Sequence, residues 1–180
     1  MRWFWIDRFT EFVSGQRATA IKNVSRSEPH TTEYLPGFPI HPSSLLVEGL
    51  AQTAGLLVAE HNHFRERVVL AKISKAQFYY SGRPGDVLRY ESTAEDIQRD
   101  GAICMCKASL GEETVADVDL VFAHLDDRFE GGLFEPSEFI RLLRLMDMYK
   151  VGVMPDGTPI RVPDHLLDAE QADANTNNES

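Results

Sequence analysis

The run LLVEGLAQTAGLLVA at residues 45–59 is apolar on every side of a helix and carries one ionisable group, Glu48. Such a helix has no face to give to water, so the rest of the chain must enclose it. A carboxylate carried into that enclosure must be paired, hydrogen-bonded or chemically used. Immediately upstream, LPGFPIHPSS at 35–44 is a loop stiffened by Pro36, Pro39 and Pro42. Proline fits a first helical turn and Ser43 or Ser44 can cap it, so the helix is predicted to begin at 42–44 and to run to about residue 62. Ala51, Gly55 and Ala59 recur every four residues as a narrow stripe on which a sheet can approach closely.

Around this helix the chain reads as strands. Residues 4–13 and 16–24 are rich in β-branched and aromatic side chains, with Ser14-Gly15 between them as a hairpin turn. The proline-punctuated segment 25–44 is predicted irregular. Strands follow at 68–80, 87–97 and 102–125, the last broken into a hairpin at Gly111-Glu112, with the turn cluster SGRPGD at 81–86. A single helix among so many strands cannot make repeated βαβ units. The predicted fold is therefore α+β, one domain at 1–125 with an antiparallel sheet wrapped around one long central helix.

Beyond residue 125 the character changes. Residues 126–163 read as an extension carrying an amphipathic helix at 136–149, with Phe139, Leu142, Leu143, Met146 and Tyr149 on one stripe. Residues 164–180 carry five acids and no Lys or Arg, which predicts a flexible acidic tail. Residues 1–125 hold 13 Lys+Arg against 16 Asp+Glu, net −3, and residues 126–180 hold 5 against 12, net −7. No basic face invites nucleic acid; Arg65, Arg67, Lys72 and Lys75 cluster after the long helix and read as a solvated charged rim, with reception of an acidic partner as the alternative. The opening MRWFWIDRF lacks an apolar leader core, and residues 45–59 are too short to cross a bilayer, which takes about 20 apolar residues. Cys104 and Cys106 form no disulfide framework. These features predict a cytoplasmic protein without membrane contact.

The loop and helix combine three elements of chemistry. A proline-stiffened loop holds a side chain at a fixed place. A helix N-terminus offers unpaired N–H groups to an oxygen gaining negative charge. A carboxylate in an apolar wall is expected to have a raised pKa, suited to acid–base work.

The residues SEPHTTEYLPGFPIHPSSLLVEGLAQTAG resemble the signature of the β-hydroxyacyl-acyl-carrier-protein dehydratases (the FabZ/FabA family), roughly NEPFFxGHFPGxPIMPGVLxIEAxAQ. The similarity extends over about residues 3–125, through WFWIDRFTEFVSGQRATAIKNVS, VLAKISKAQFYYSGRPGDVLRYES and VADVDLVFAHL. The resemblance implies a hotdog fold, a homodimer or higher homo-oligomer, and composite acyl-thioester sites between protomers. It implies acyl-carrier-protein or CoA thioesters as substrates, acyl carrier protein as partner, and no cofactor or metal. Glu48 falls on the catalytic carboxylate, and Gln52 on the glutamine that braces it. Pro36, Gly37, Pro39 and Pro42 fall on the PGxPxxP frame, so that Gly37, Pro42, Ser43, Ser44, Gln52 and His41 are the expected substrate-binding residues.

Two positions depart from the pattern. The catalytic histidine, the base that removes the C2 proton of a 3-hydroxyacyl thioester, is Tyr34. The glycine whose N–H polarises the thioester carbonyl is Ser43. A phenol with an ordinary pKa of ~10 accepts protons poorly at neutral pH, where an imidazole near 6.5 accepts them well. His41 and His30 are the histidines in the same loop able to substitute. His61 and His63 leave a metal pair at the helix C-terminus as an alternative, though no metal is expected. The reading is a dehydratase-like protein with Glu48 as general acid and Tyr34 as hydrogen-bond donor. The alternatives are a non-catalytic acyl- or partner-binding homologue, or a hotdog thioesterase using Glu48 to activate water.

Overall fold

A computed structural model describes residues 4–35, 37–125 and 135–178. Two strands, β1 (Arg8–Val13) and β2 (Arg17–Asn23), form the first hairpin, and Gly15 takes the left-handed conformation (φ 64°) that its turn requires. A short helix α1 (Pro29–Glu33) interrupts the segment expected to be irregular, with Pro29 at its first turn. The long helix α2 (Ser43–His61) follows within a residue or two of its predicted bounds. Its cap differs from expectation. Pro42 occupies the cap position without a side-chain hydrogen bond, and Ser43 and Ser44 lie inside the first turn.

Of the strands β3 (Arg67–Phe78), β4 (Val87–Ile97), β5 (Gly101–Leu110) and β6 (Glu113–Leu125), the last three form an antiparallel meander whose β5–β6 hairpin turns at Gly111 as predicted, and β3 pairs antiparallel with β6 at the far margin. The sheet runs β3-β6-β5-β4-β2-β1-β7. Helix α2 lies across it, packed chiefly over β4 and also against β2, β3, β5 and β6. Alternation explains the fit. In β5 the side chains of Ala102, Cys104, Cys106 and Ala108 turn inward, while Ile103 and Met105 turn out. The two cysteines are buried and free, and burial pushes their thiols up to about 12 and about 11.

Close approach of helix and sheet rests on Gly49. A Cβ there would overlap the buried Tyr90 ring of β4 and come within 2.9 Å of the Trp5 carbonyl oxygen. Gly49→Ala is therefore expected to destabilise the protein by about 1–3 kcal/mol, as overpacking a tight core does. Thermal unfolding of the purified variant checks this; an unchanged midpoint would mean that the helix can shift at no cost.

The C-terminal segment is more ordered than its composition suggests. The predicted amphipathic helix is split into α3 (Pro136–Leu145) and α4 (Met148–Val151), because Asp147 takes a left-handed φ of 58° between them. Phe139, Ile140, Leu143, Met146 and Met148 are buried, so the segment packs on the main body. It then adds an unforeseen strand, β7 (Gly152–Val153), parallel to β1. The expected flexible tail is instead helix α5 (Asp164–Asn178). Its Leu166 is buried, and its acids meet α3 through Arg141–Asp173 and Arg144–Glu170. The neutralising cations lie outside the acidic segment itself, which is why its composition alone pointed to disorder. Residues 126–134, 179 and 180, also assigned to extension and tail, lie outside the described residues.

Candidate functional site

The loop before α2 is held in place by its neighbours. Gly37 takes φ 81°, a left-handed conformation that disfavours any residue with a Cβ. The Phe38 N–H donates to the Leu35 carbonyl at 3.0 Å, and the His41 N–H donates to the Gly82 carbonyl at 2.7 Å. The second bond ties the loop to the 81–86 turn, whose Arg83 guanidinium lies 5.8 Å from the Phe38 ring centre. Pro36, part of the expected frame, lies outside the described residues.

One turn and a half into α2, Glu48 and Gln52 share a face. The Gln52 Nε2 donates to Glu48 Oε1 at 2.8 Å, and Gln52 Oε1 accepts the Trp5 backbone N–H at 2.8 Å. The bracing expected from Gln52 is thus present, with a backbone anchor behind it. The enclosure expected around Glu48 is not. Its carboxylate is exposed in a single chain, because the sheet covers only the opposite side of α2.

Glu48 and Gln52 belong to a cleft of ≈ 530 Å³ that follows α2. The small residues Ala51, Gly55 and Ala59 form its floor, so the stripe expected to meet a sheet instead leaves room in front of the helix. Phe122 of β6 approaches that floor, and would stand 3.4 Å from a Cβ at Gly55. From Glu48 to Ala59 the floor is about 16 Å long at helical rise. Part of the far wall comes from the C-terminal segment, through Pro136, Phe139, His165 and Leu166. Phe139 stacks edge-to-face on Phe64, with ring centres 5.3 Å apart. Arg65 and Arg67 also line the cleft, whereas Lys72 and Lys75 stand exposed on β3.

The remaining expected site residues are elsewhere. Tyr34 is 61% exposed at the end of α1 and does not line the cleft. Pro42 is buried, Ser43 is half-buried and Ser44 exposed at the start of α2. His41 is a correction. At 1% exposure it is unavailable to a substrate, and its ring packs against His30 and Trp5. Burial, reinforced by His30 and Lys22, pushes its imidazole down to about 4. His41 therefore cannot stand in for the family's base. His30 is also lowered, mainly by burial and partly opposed by Glu28. Sequence reasoning missed Glu28, which joins these two histidines, and Glu60, a buried carboxyl at the end of α2 raised chiefly by burial. The pair His61 and His63 is exposed, and the described residues place no third ligand beside it.

An antiparallel sheet crossed by one long helix, with a carboxylate in the helix at the mouth of an apolar cleft, is the arrangement of a hotdog protein. Residues 3–119 match the model of the FabA-like domain. The 3-hydroxyacyl-[acyl-carrier-protein] dehydratase FabZ of Caldanaerobacter subterraneus subsp. tengcongensis is 37% identical over 123 residues, covering 68% of this chain and 87% of that protein. FabZ of Desulforamulus reducens is 34% identical over 119 residues, covering 66% and 84%. Among solved structures, the dehydratase heterocomplex ApeI:P of Xenorhabdus doucetiae superposes with a TM-score of 0.59 at 15% identity, covering 77% of this chain and 88% of that one. A hypothetical thioesterase with coenzyme A from Streptococcus pneumoniae gives 0.56 at 14%, covering 68% and 88%. The chain belongs to the FabA-like family of hotdog proteins.

No helix among the described residues is long and apolar enough to cross a membrane.

Proposed function

We propose that the protein acts on 3-hydroxyacyl or 2-enoyl thioesters carried by acyl carrier protein or CoA, with Glu48 as general acid. The observation that carries this reading is the Glu48 carboxylate, fixed by Gln52 at an apolar cleft in a chain whose relatives are named dehydratases. In dehydration the C2–H bond breaks, the C3 hydroxyl leaves as water with a proton from Glu48, and the 2-enoyl thioester remains. Arg65 and Arg67 would meet the anionic carrier group, and the acyl chain would lie over Ala51, Gly55 and Ala59.

The site is completed in this reading by a second copy of the chain. Among the described residues strand β3 is an edge of the sheet, and on it Leu70, Ile73 and Phe78 are 39%, 44% and 41% exposed. An exposed apolar edge of that length is a template for pairing. Joining two copies there would enclose Glu48 and bring the partner's loop, with its exposed tyrosine, over the cleft. Tyr34 would donate a hydrogen bond to the substrate or to Glu48.

With tyrosine at the base position the C2 proton has only solvent to receive it, so turnover is slow. Tyr34→His is expected to raise dehydration at least about tenfold, since a positioned base contributes about 10²–10⁴-fold. The assay is loss of the conjugated enoyl absorbance during hydration of a crotonyl thioester, run beside the parent. An unchanged rate, with tight thioester binding retained, would favour the second reading that Tyr34 itself motivates: a homologue that binds acyl thioesters without turning them over.

A further inference from the structure

Below the loop, and apart from the cleft, three side chains from two stretches of sequence converge, Glu28 and His30 at the start of α1 and His41 just before α2. We propose that Glu28, His30 and His41 form a binding site for one zinc-type divalent cation. One ligand atom from each lies within 4.8 Å of the others, and they are the group of this kind among the described residues.

The spacing accommodates a metal as well as a chain of hydrogen bonds. His41 Nδ1 and His30 Nε2 are 3.3 Å apart. That is long for a bond between ring nitrogens, where N–H donors commonly sit about 2.9–3.0 Å from their acceptors. It is the edge of a tetrahedron whose centre holds zinc at ~2.0–2.1 Å, about 3.3–3.4 Å. Glu28 Oε2 and His30 Nε2 are 3.6 Å apart, a second edge of similar length. Two imidazoles and a carboxylate leave the fourth position to water.

Each ligand is oriented from outside the site. Lys22 Nζ donates to Glu28 Oε1 at 2.6 Å, and the Ser25 N–H donates to Oε2 at 3.1 Å, so the carboxylate is fixed before any ion arrives. Outer partners of this kind orient metal ligands. Trp5 packs edge-to-face on both histidines, with ring centres 5.2 and 6.1 Å away. Lys22 opposes a cation, but it is also 3.6 Å from Asp7 Oδ1, which offsets its charge. Burial keeps both imidazoles neutral, the form in which they ligate metals. Access is from the side of Glu28 and His30, whose side chains are 23% and 12% exposed. A bound ion would pin α1, which leads to Tyr34, against the start of α2.

The test uses the full chain, freed of metal by chelator and titrated with Zn²⁺ and separately with Co²⁺. One equivalent per chain is expected, with the visible bands of tetrahedral cobalt and a rise in melting temperature under Zn²⁺. His30→Gln and Glu28→Gln, both partly exposed and expected to fold, should each weaken binding at least about tenfold. The double variant His61→Ala, His63→Ala should bind as the parent does. No saturable binding, or binding lost only in the double variant, would overturn the site.

Discussion

Glu48→Gln is expected to lower turnover of a 3-hydroxyacyl thioester by about 10²–10⁴-fold while leaving the fold intact. The amide keeps the size of the side chain and can still bond to Gln52, but it has no proton to give to a departing hydroxyl. Because Glu48 is exposed in the chain, its neutralisation should move stability by no more than about 0.5 kcal/mol. Steady-state kinetics and urea unfolding on one preparation separate the two effects. Loss of kcat with KM and unfolding midpoint unchanged identifies a group that acts at the transition state. A variant that keeps the parent's rate would remove Glu48 from the chemistry.

Leu57→Ala is expected to do the reverse. Leu57 is fully buried on the side of α2 turned to the sheet and does not line the cleft. Truncating a buried leucine costs about 2–5 kcal/mol through lost burial and the cavity left behind. At an m-value of about 2 kcal/mol/M, the urea midpoint should fall by roughly 1–2.5 M. Turnover measured well below the new melting temperature should stay within a factor of about two, since no atom of the cleft is touched. A fall of less than about 1 kcal/mol would mean that neighbouring side chains collapse into the space. Those two outcomes would divide one helix into a face that holds the molecule together and a face that addresses the ligand.

Much of this division was legible in the residues. The helix, both hairpin turns and the meander follow from apolar periodicity and from glycine and proline placement, because those signals are local. The hydrogen bond from Gln52 to Glu48 follows from a spacing of four on one helix face. What escaped depends on distant partners. The run at 45–59 is apolar all round, yet one chain supplies a sheet for only part of it, so Glu48 is left open. His41 reads as one more loop histidine until Trp5 and His30 are folded over it. Glu28 gives no signal at all without the thirteen-residue reach to His41 that α1 and the loop provide. The acids of Asp164–Asn178 meet Arg141 and Arg144, which lie 32 and 26 residues before their partners Asp173 and Glu170.

The two margins of the sheet are unequal. Along β1 the Phe9 N–H reaches the Met146 carbonyl at 2.8 Å, the Ser14 N–H reaches the Val153 carbonyl at 2.9 Å, and β7 pairs between them. Among the described residues, no strand pairs with the outer side of β3. A sheet with both margins bare could add copies end to end without limit, as a fibre does. With one margin already sealed, strand-to-strand growth has a single point of attachment, and two-fold pairing there uses it up. A pair formed along β3, as proposed above, would be closed to further growth by this route.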